Sequence, residues 1–143
     1  MKPSRNYRVL LLEDEAGDAG LMRLAFGKAG YTVEIQHVAD GREALNVLNR
    51  SDMLPPDLIL ADLKMPGMGG LEFLAALKKQ ARLRSIPVVV VSSSALDSDV
   101  NMAYRLGASG YLLKTVDINE FFAVISRLAD YWFSLVALPD EQT

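Results

Sequence analysis

The chain has 143 residues, 50% of them hydrophobic and 23% charged, with no cysteine and one histidine. A chain of that length and apolar content gathers around one core and buries roughly 70% of its unfolded surface, which excludes disorder, and the missing cysteines exclude a disulfide scaffold or a thiolate metal site. Eighteen acidic against 15 basic side chains, a net charge of −3, leave no electrostatic footprint for nucleic acid or an anionic membrane.

The opening residues lead into four apolar residues at 9–12, too few for a signal-peptide core, so a cytoplasmic location is expected. That run is the first predicted strand, and helical periodicity over 18–29 follows, closed at Gly30. Residues 33–38 alternate polar and apolar and predict an edge strand, whereas 58–61, 88–91 and 111–113 are continuous aliphatic runs of the kind covered on both faces. Helices are predicted between them over 41–49, 70–81 and 98–106, the last ending at Gly107, with Pro87 just before the fourth strand. Asp117 with Glu120 three residues later predicts a capping-box start for a final helix over 118–136. Arg127 and Asp130 interrupt the apolar segment 121–138, so no membrane-spanning helix is expected. Alternating strands and helices with no linker between them predict one domain over 1–143, its core at about 7–128: a three-layer α/β fold around a parallel sheet.

Ligands of open α/β sheets sit beyond the carboxyl ends of the strands, where strand order reverses. There the sequence turns polar: Glu13 and Asp14 follow the first strand, Asp62 the third, Ser92 the fourth and Lys114 the fifth. Three crowded carboxylates repel one another unless a cation neutralises them, and an all-oxygen set suits Mg²⁺. Lys114 as a point charge and the Ser92 hydroxyl as a donor complete a phosphoryl-transfer site. Glu15 and Asp18 read as helix-start or solvated loop acids, His37 as a surface or packing residue, and Met22 and Met102 as helix packing residues. Gly67-Met-Gly-Gly70 reads as a mobile loop rather than a phosphate-binding one, because it lacks the Gly-Lys-Ser/Thr ending.

Leu11-Leu-Glu-Asp-Glu15, Leu60-Ala-Asp-Leu-Lys-Met-Pro-Gly-Met-Gly-Gly70, residues 87–92 and Gly107-Ala-Ser-Gly-Tyr-Leu-Leu-Lys114 resemble the response-regulator receiver domain of two-component signalling. The resemblance spans nearly the whole chain. It implies a flavodoxin-like doubly wound sheet in the order 2-1-3-4-5, with Asp62 as acceptor of a phosphoryl group from a sensor histidine kinase. It further implies Mg²⁺ held by Asp14, Asp62 and the Lys64 carbonyl, with Glu13 acting through water. Lys114 would neutralise the acyl phosphate, Ser93 stands where a small residue gates access to it, and Ser92 and Tyr111 match the paired hydroxyl and aromatic switch positions. The chain departs from the pattern at Thr115, where a cis proline is usual, at Gly69, where an acidic cap is usual, and at Glu13, where Asp is common.

At 1.5 Å per residue the final helix would be about 28 Å long against about 17 Å for a five-residue strand, leaving about two turns overhanging the sheet. Trp132, Phe133, Leu135 and Val136 on that overhang predict a homodimer interface. The Tyr131-to-Pro139 ending also resembles the small single-domain regulators that partner bacterial phytochrome kinases. A Mg²⁺-dependent aspartyl-phosphate phosphatase of small molecules is the alternative; it expects a nucleophilic Asp after the first strand with a second Asp two residues on, where this chain has Glu13-Asp14-Glu15.

Overall fold

The aliphatic runs form β1 (Tyr7–Leu12), β2 (Val33–Val38), β3 (Leu58–Ala61), β4 (Val88–Ser92) and β5 (Gly110–Leu113) in a computed structural model that describes residues 5–139. All neighbouring strands are parallel, in the order β2-β1-β3-β4-β5. The helices are α1 (Ala16–Lys28), α2 (Gly41–Leu48), α3 (Gly70–Lys78), α4 (Asp97–Arg105) and α5 (Ile118–Asp130). Successive strand side chains point to opposite faces, so each central strand supplies two cores at once. Leu10, Leu12, Ile59, Ala61, Val88 and Val90 pack with Ala44, Phe73, Leu74 and Leu77 of α2 and α3. Val9, Leu11, Leu58, Leu60, Val89 and Val91 pack with Met22, Phe26, Ile125 and Leu128 of α1 and α5. Strand β5 is the second edge of the sheet and is less covered than its aliphatic run predicts, with Leu113 53% exposed. Met102, expected inside, is 41% exposed on α4.

Gly30 and Gly107 adopt positive φ of 86° and 103°, as the helix-ending reading requires. The Asp117 carboxylate accepts from the Glu120 N–H, but the reciprocal half of the capping box is replaced. The Asp117 N–H donates to Thr115 Oγ1, which in turn donates to Glu120 Oε2. The peptide bond between Lys114 and Thr115 is trans. The segment after β3 is clamped rather than loose: the Gly41 N–H donates to the Met68 carbonyl at 2.9 Å, and the Met68 side chain lies over Gly41.

The end of the chain departs most from expectation. Helix α5 stops at Asp130 and one π-helical turn, Tyr131–Leu135, follows, with Val136 extended. This turn does not overhang the sheet; it carries Phe133 inward, 5% exposed, onto the Tyr7 ring at 4.1 Å and the edge of Tyr31 at 5.6 Å. The Tyr7 hydroxyl donates to the Phe133 carbonyl at 2.7 Å. The Tyr31 hydroxyl donates to Asp130 Oδ1 at 2.7 Å and meets Ser134 Oγ at 2.6 Å. A carboxylate only accepts, so Tyr31 spends its single proton on Asp130 and Ser134 donates the other bond. Phe133 is therefore a core residue and not part of an interface.

Candidate functional site

The strand ladders continue one step beyond the strands and fix the backbone of the polar residues that follow. The Glu13 N–H donates to the Val38 carbonyl, the Asp62 N–H to Leu12 and the Lys114 N–H to Ser92, at 3.0, 3.0 and 2.8 Å. His37 bonds through Nε2 to the Glu13 carbonyl from β2, so the lone histidine braces the site's backbone instead of lying free on the surface. On the other side, α3 begins hard against Asp62: a β-carbon at Gly70 would stand 2.2 Å from the Asp62 carbonyl oxygen, which only glycine allows.

Glu13, Asp14 and Asp62 converge so that one oxygen from each lies within 4.8 Å of the others. The Glu13 side chain is 5% exposed, and burial pushes its carboxyl above the ordinary range despite the opposing bond to Lys114. Lys114 Nζ reaches Glu13 Oε1 at 2.7 Å, Asp62 Oδ2 at 3.1 Å and Asp18 Oδ2 at 3.2 Å. Burial acts to lower the ammonium's pKa, but the bonds and charges of Glu13 and Asp62 outweigh it and hold Lys114 above its ordinary value. Four carboxylates against one ammonium leave the site short of positive charge. An all-oxygen set of differing burial suits a hard divalent ion that retains waters. Lys64 is exposed, and its N–H donates to Asp62 Oδ1 at 3.3 Å.

Ser92 is buried and its Oγ accepts from the Ser94 N–H at 3.1 Å, while Ser93 is exposed. The Tyr111 hydroxyl donates to the Ser94 carbonyl at 2.8 Å. The predicted switch pair thus meets at Ser94, whose own hydroxyl donates to Asp99 Oδ2 at 2.5 Å in the first turn of α4. Sequence reasoning singled out Ser92 and Ser93 but not Ser94; a hydroxyl followed five residues later by an acid at a helix start is the signal that finds it. It also assigned Asp18 to solvent, because an acid in a first helical turn is ordinarily explained by the helix dipole. Helix α1 instead aims Asp18 at the end of β5.

The response regulator receiver domain family matches residues 9–126. Response regulator Rcp1 of Synechocystis sp. is 31% identical over 135 residues, covering 92% of each chain. FilR2 of Methanothrix harundinacea, a probable methanogenesis regulatory protein, is 34% identical over 88% of this chain and 83% of its own. Among solved structures, the phosphorylated cyanobacterial phytochrome response regulator RcpA superposes with a TM-score of 0.89 at 31% identity, covering 95% of this chain and all of the other. With the sheet order, the acidic trio and the lysine in place, the chain belongs to the response regulator receiver family.

Proposed function

We propose that the chain accepts a phosphoryl group on Asp62 from a phosphohistidine of a sensor kinase and answers by rearranging its 92–94 segment. The observation that carries this is the convergence of Asp62 with Glu13 and Asp14 within 4.8 Å and with Lys114 at 3.1 Å. An Asp62 oxygen forms the new bond to phosphorus as the phosphorus–nitrogen bond to the donor breaks. The electron pair leaves with the imidazole nitrogen. Charge spreads over the equatorial oxygens of a loose transition state, so positioned cations supply most of the catalysis. Mg²⁺ held by Asp14, Asp62 and the Lys64 carbonyl, with Glu13 acting through water, would supply charge neutralisation at the phosphoryl oxygens. Lys114 holds the acceptor's outer oxygen and remains at hand for the new charge. The Ser92 hydroxyl, drawn toward the phosphoryl group, releases the Ser94 N–H, while Ser93 leaves the approach to the acyl phosphate open to water and slow autodephosphorylation. Tyr111 follows the Ser94 carbonyl, and a charge change becomes a change of surface.

The kinase proposed is a bacteriophytochrome, which the similarity to RcpA and to the bacteriophytochrome response regulator RtBRR, 36% identical with a TM-score of 0.73, supports. The metal reading has support from the solved Mn²⁺-bound form of Rcp1, 30% identical with a TM-score of 0.87. We further propose a homodimer through Leu135, 77% exposed, with Tyr131, Trp132 and Val136 beside it. The phosphatase alternative lacks support, because Glu15 lies outside the carboxylate trio. Incubation with acetyl phosphate and Mg²⁺ followed by intact mass tests the acceptor: one phosphoryl adduct is expected in the wild type and none in Asp62→Asn. An unmodified wild type, or a fully labelled variant, overturns the assignment.

A further inference from the structure

The Lys114 ammonium has three N–H donors, and three different carboxylates take them. Two of those partners are compromised by the chemistry proposed above. Glu13 and Asp62 belong to the trio that would gather a divalent cation, and Asp62 also gives up its carboxylate charge to the phosphoryl oxygens when it becomes an acyl phosphate. A dication in the trio competes for their lone pairs and repels the neighbouring ammonium. Asp18 lies outside the trio and is the partner of Lys114 that neither metal nor phosphoryl group claims.

Packing does little to replace that hold. The Lys114 stem borders a cavity of about 130 Å³ between α1 and α5, lined by Leu21, Met22, Val91, Ile118 and Phe121, so it has room to swing away. The next residue gives no grip on the site either, since the Thr115 hydroxyl is engaged with Asp117 and Glu120 at the start of α5. The side chain is 23% exposed and its direction is set by where its head is bound.

We propose that Asp18 is a positioning residue: from the first turn of α1 its carboxylate tethers Lys114 Nζ at the site while Glu13 and Asp62 are given over to the metal ion and the phosphoryl group. The inference rests on Asp62 being the acceptor. The Asp18 carboxylate is 47% exposed, and a half-exposed ion pair of this kind supports an effect of about two- to fivefold.

The test is a double-mutant cycle on the labelling rate with acetyl phosphate and Mg²⁺, read by intact mass. Asp18→Asn is expected to label about two- to fivefold more slowly, and Asp18→Glu to recover most of the rate. In a Lys114→Ala background, Asp18→Asn is expected to make no further difference. Equal slowing in that background would mean that Asp18 acts by its charge or by folding alone, and would overturn the tether, as would an Asp18→Asn rate equal to wild type. A second readout needs no phosphoryl chemistry. The Lys114 Nζ side-chain NMR resonance, followed during Mg²⁺ titration, is expected to persist in the wild type and to broaden into exchange in Asp18→Asn; identical behaviour in both overturns the proposal. A wild type that takes no label while the resonance still distinguishes the two proteins refutes the acceptor assignment and leaves the tether standing.

Discussion

Lys114 binds its proton more firmly folded than unfolded, and the sign of its pH dependence follows. Its contribution is complete while an unfolded lysine is also protonated and is lost as pH rises past about 10.4 toward the folded value. The melting-temperature difference between wild type and Lys114→Ala is therefore expected to hold steady from neutral pH to about pH 10 and to narrow above it, as thermal melts across that range would show. Gly70 makes a different kind of demand, because α3 presses on the carbonyl of Asp62. Gly70→Ala is expected to lose about 1–3 kcal/mol in urea unfolding, since the clash is with backbone and no side chain can step aside. Residue chemistry at the strand ends was legible in the sequence because strand-end position and residue type coincide at Glu13, Asp14, Asp62, Ser92 and Lys114. Asp18 and Ser94 were not, because their roles depend on where a helix start and a loop point, and local sequence explains both of them blandly.

At the scale of elements, α1 is the weak helix. Gly17, Gly20 and Gly27 lie on its exposed side, and a β-carbon at any of them would meet nothing within 4 Å. Gly20 in mid-helix costs about 0.5–1 kcal/mol relative to alanine and Gly17 and Gly27, one residue in from the ends, cost less, so the triple alanine variant is expected to gain about 1–2 kcal/mol with an unchanged denaturant slope. A gain below 0.5 kcal/mol would mean that the glycines pack in some way the folded chain does not show. The last element shows where periodicity misleads. Residues 118–136 read as one helix because apolar residues recur at helical spacing, but a π turn adds a residue per turn and changes which side chain faces inward. The long-range partners Tyr7, Phe26 and Tyr31 reveal that Phe133 is the residue turned in. Phe133→Ala is expected to cost about 3–5 kcal/mol and Leu135→Ala less than about 0.5, a contrast that urea midpoints resolve easily.

For the whole molecule, the same turn divides its apolar side chains between two duties. Phe133 completes one core, while Leu135 and Tyr131 remain on the surface. Leu135→Arg is accordingly expected to convert the proposed homodimer to a monomer by light scattering while leaving the circular dichroism spectrum of the fold unchanged; a wild type already monomeric at high micromolar concentration would defeat the interface. The fold class and strand order were legible from the alternation of strands and helices and from the family motifs, whereas the exposure of the β5 side chains was not, because an aliphatic run looks alike whether or not both its faces are covered. Among the described residues no helix is long and apolar enough to cross a membrane. The bond between Tyr7 and Phe133 joins positions 126 apart. A ribosome making this chain at about 5–20 residues per second releases the first strand several seconds before the residue that covers it. Until then the nascent protein carries two uncovered tyrosines at or just before the start of its first two strands, a window in which a chaperone has something to hold.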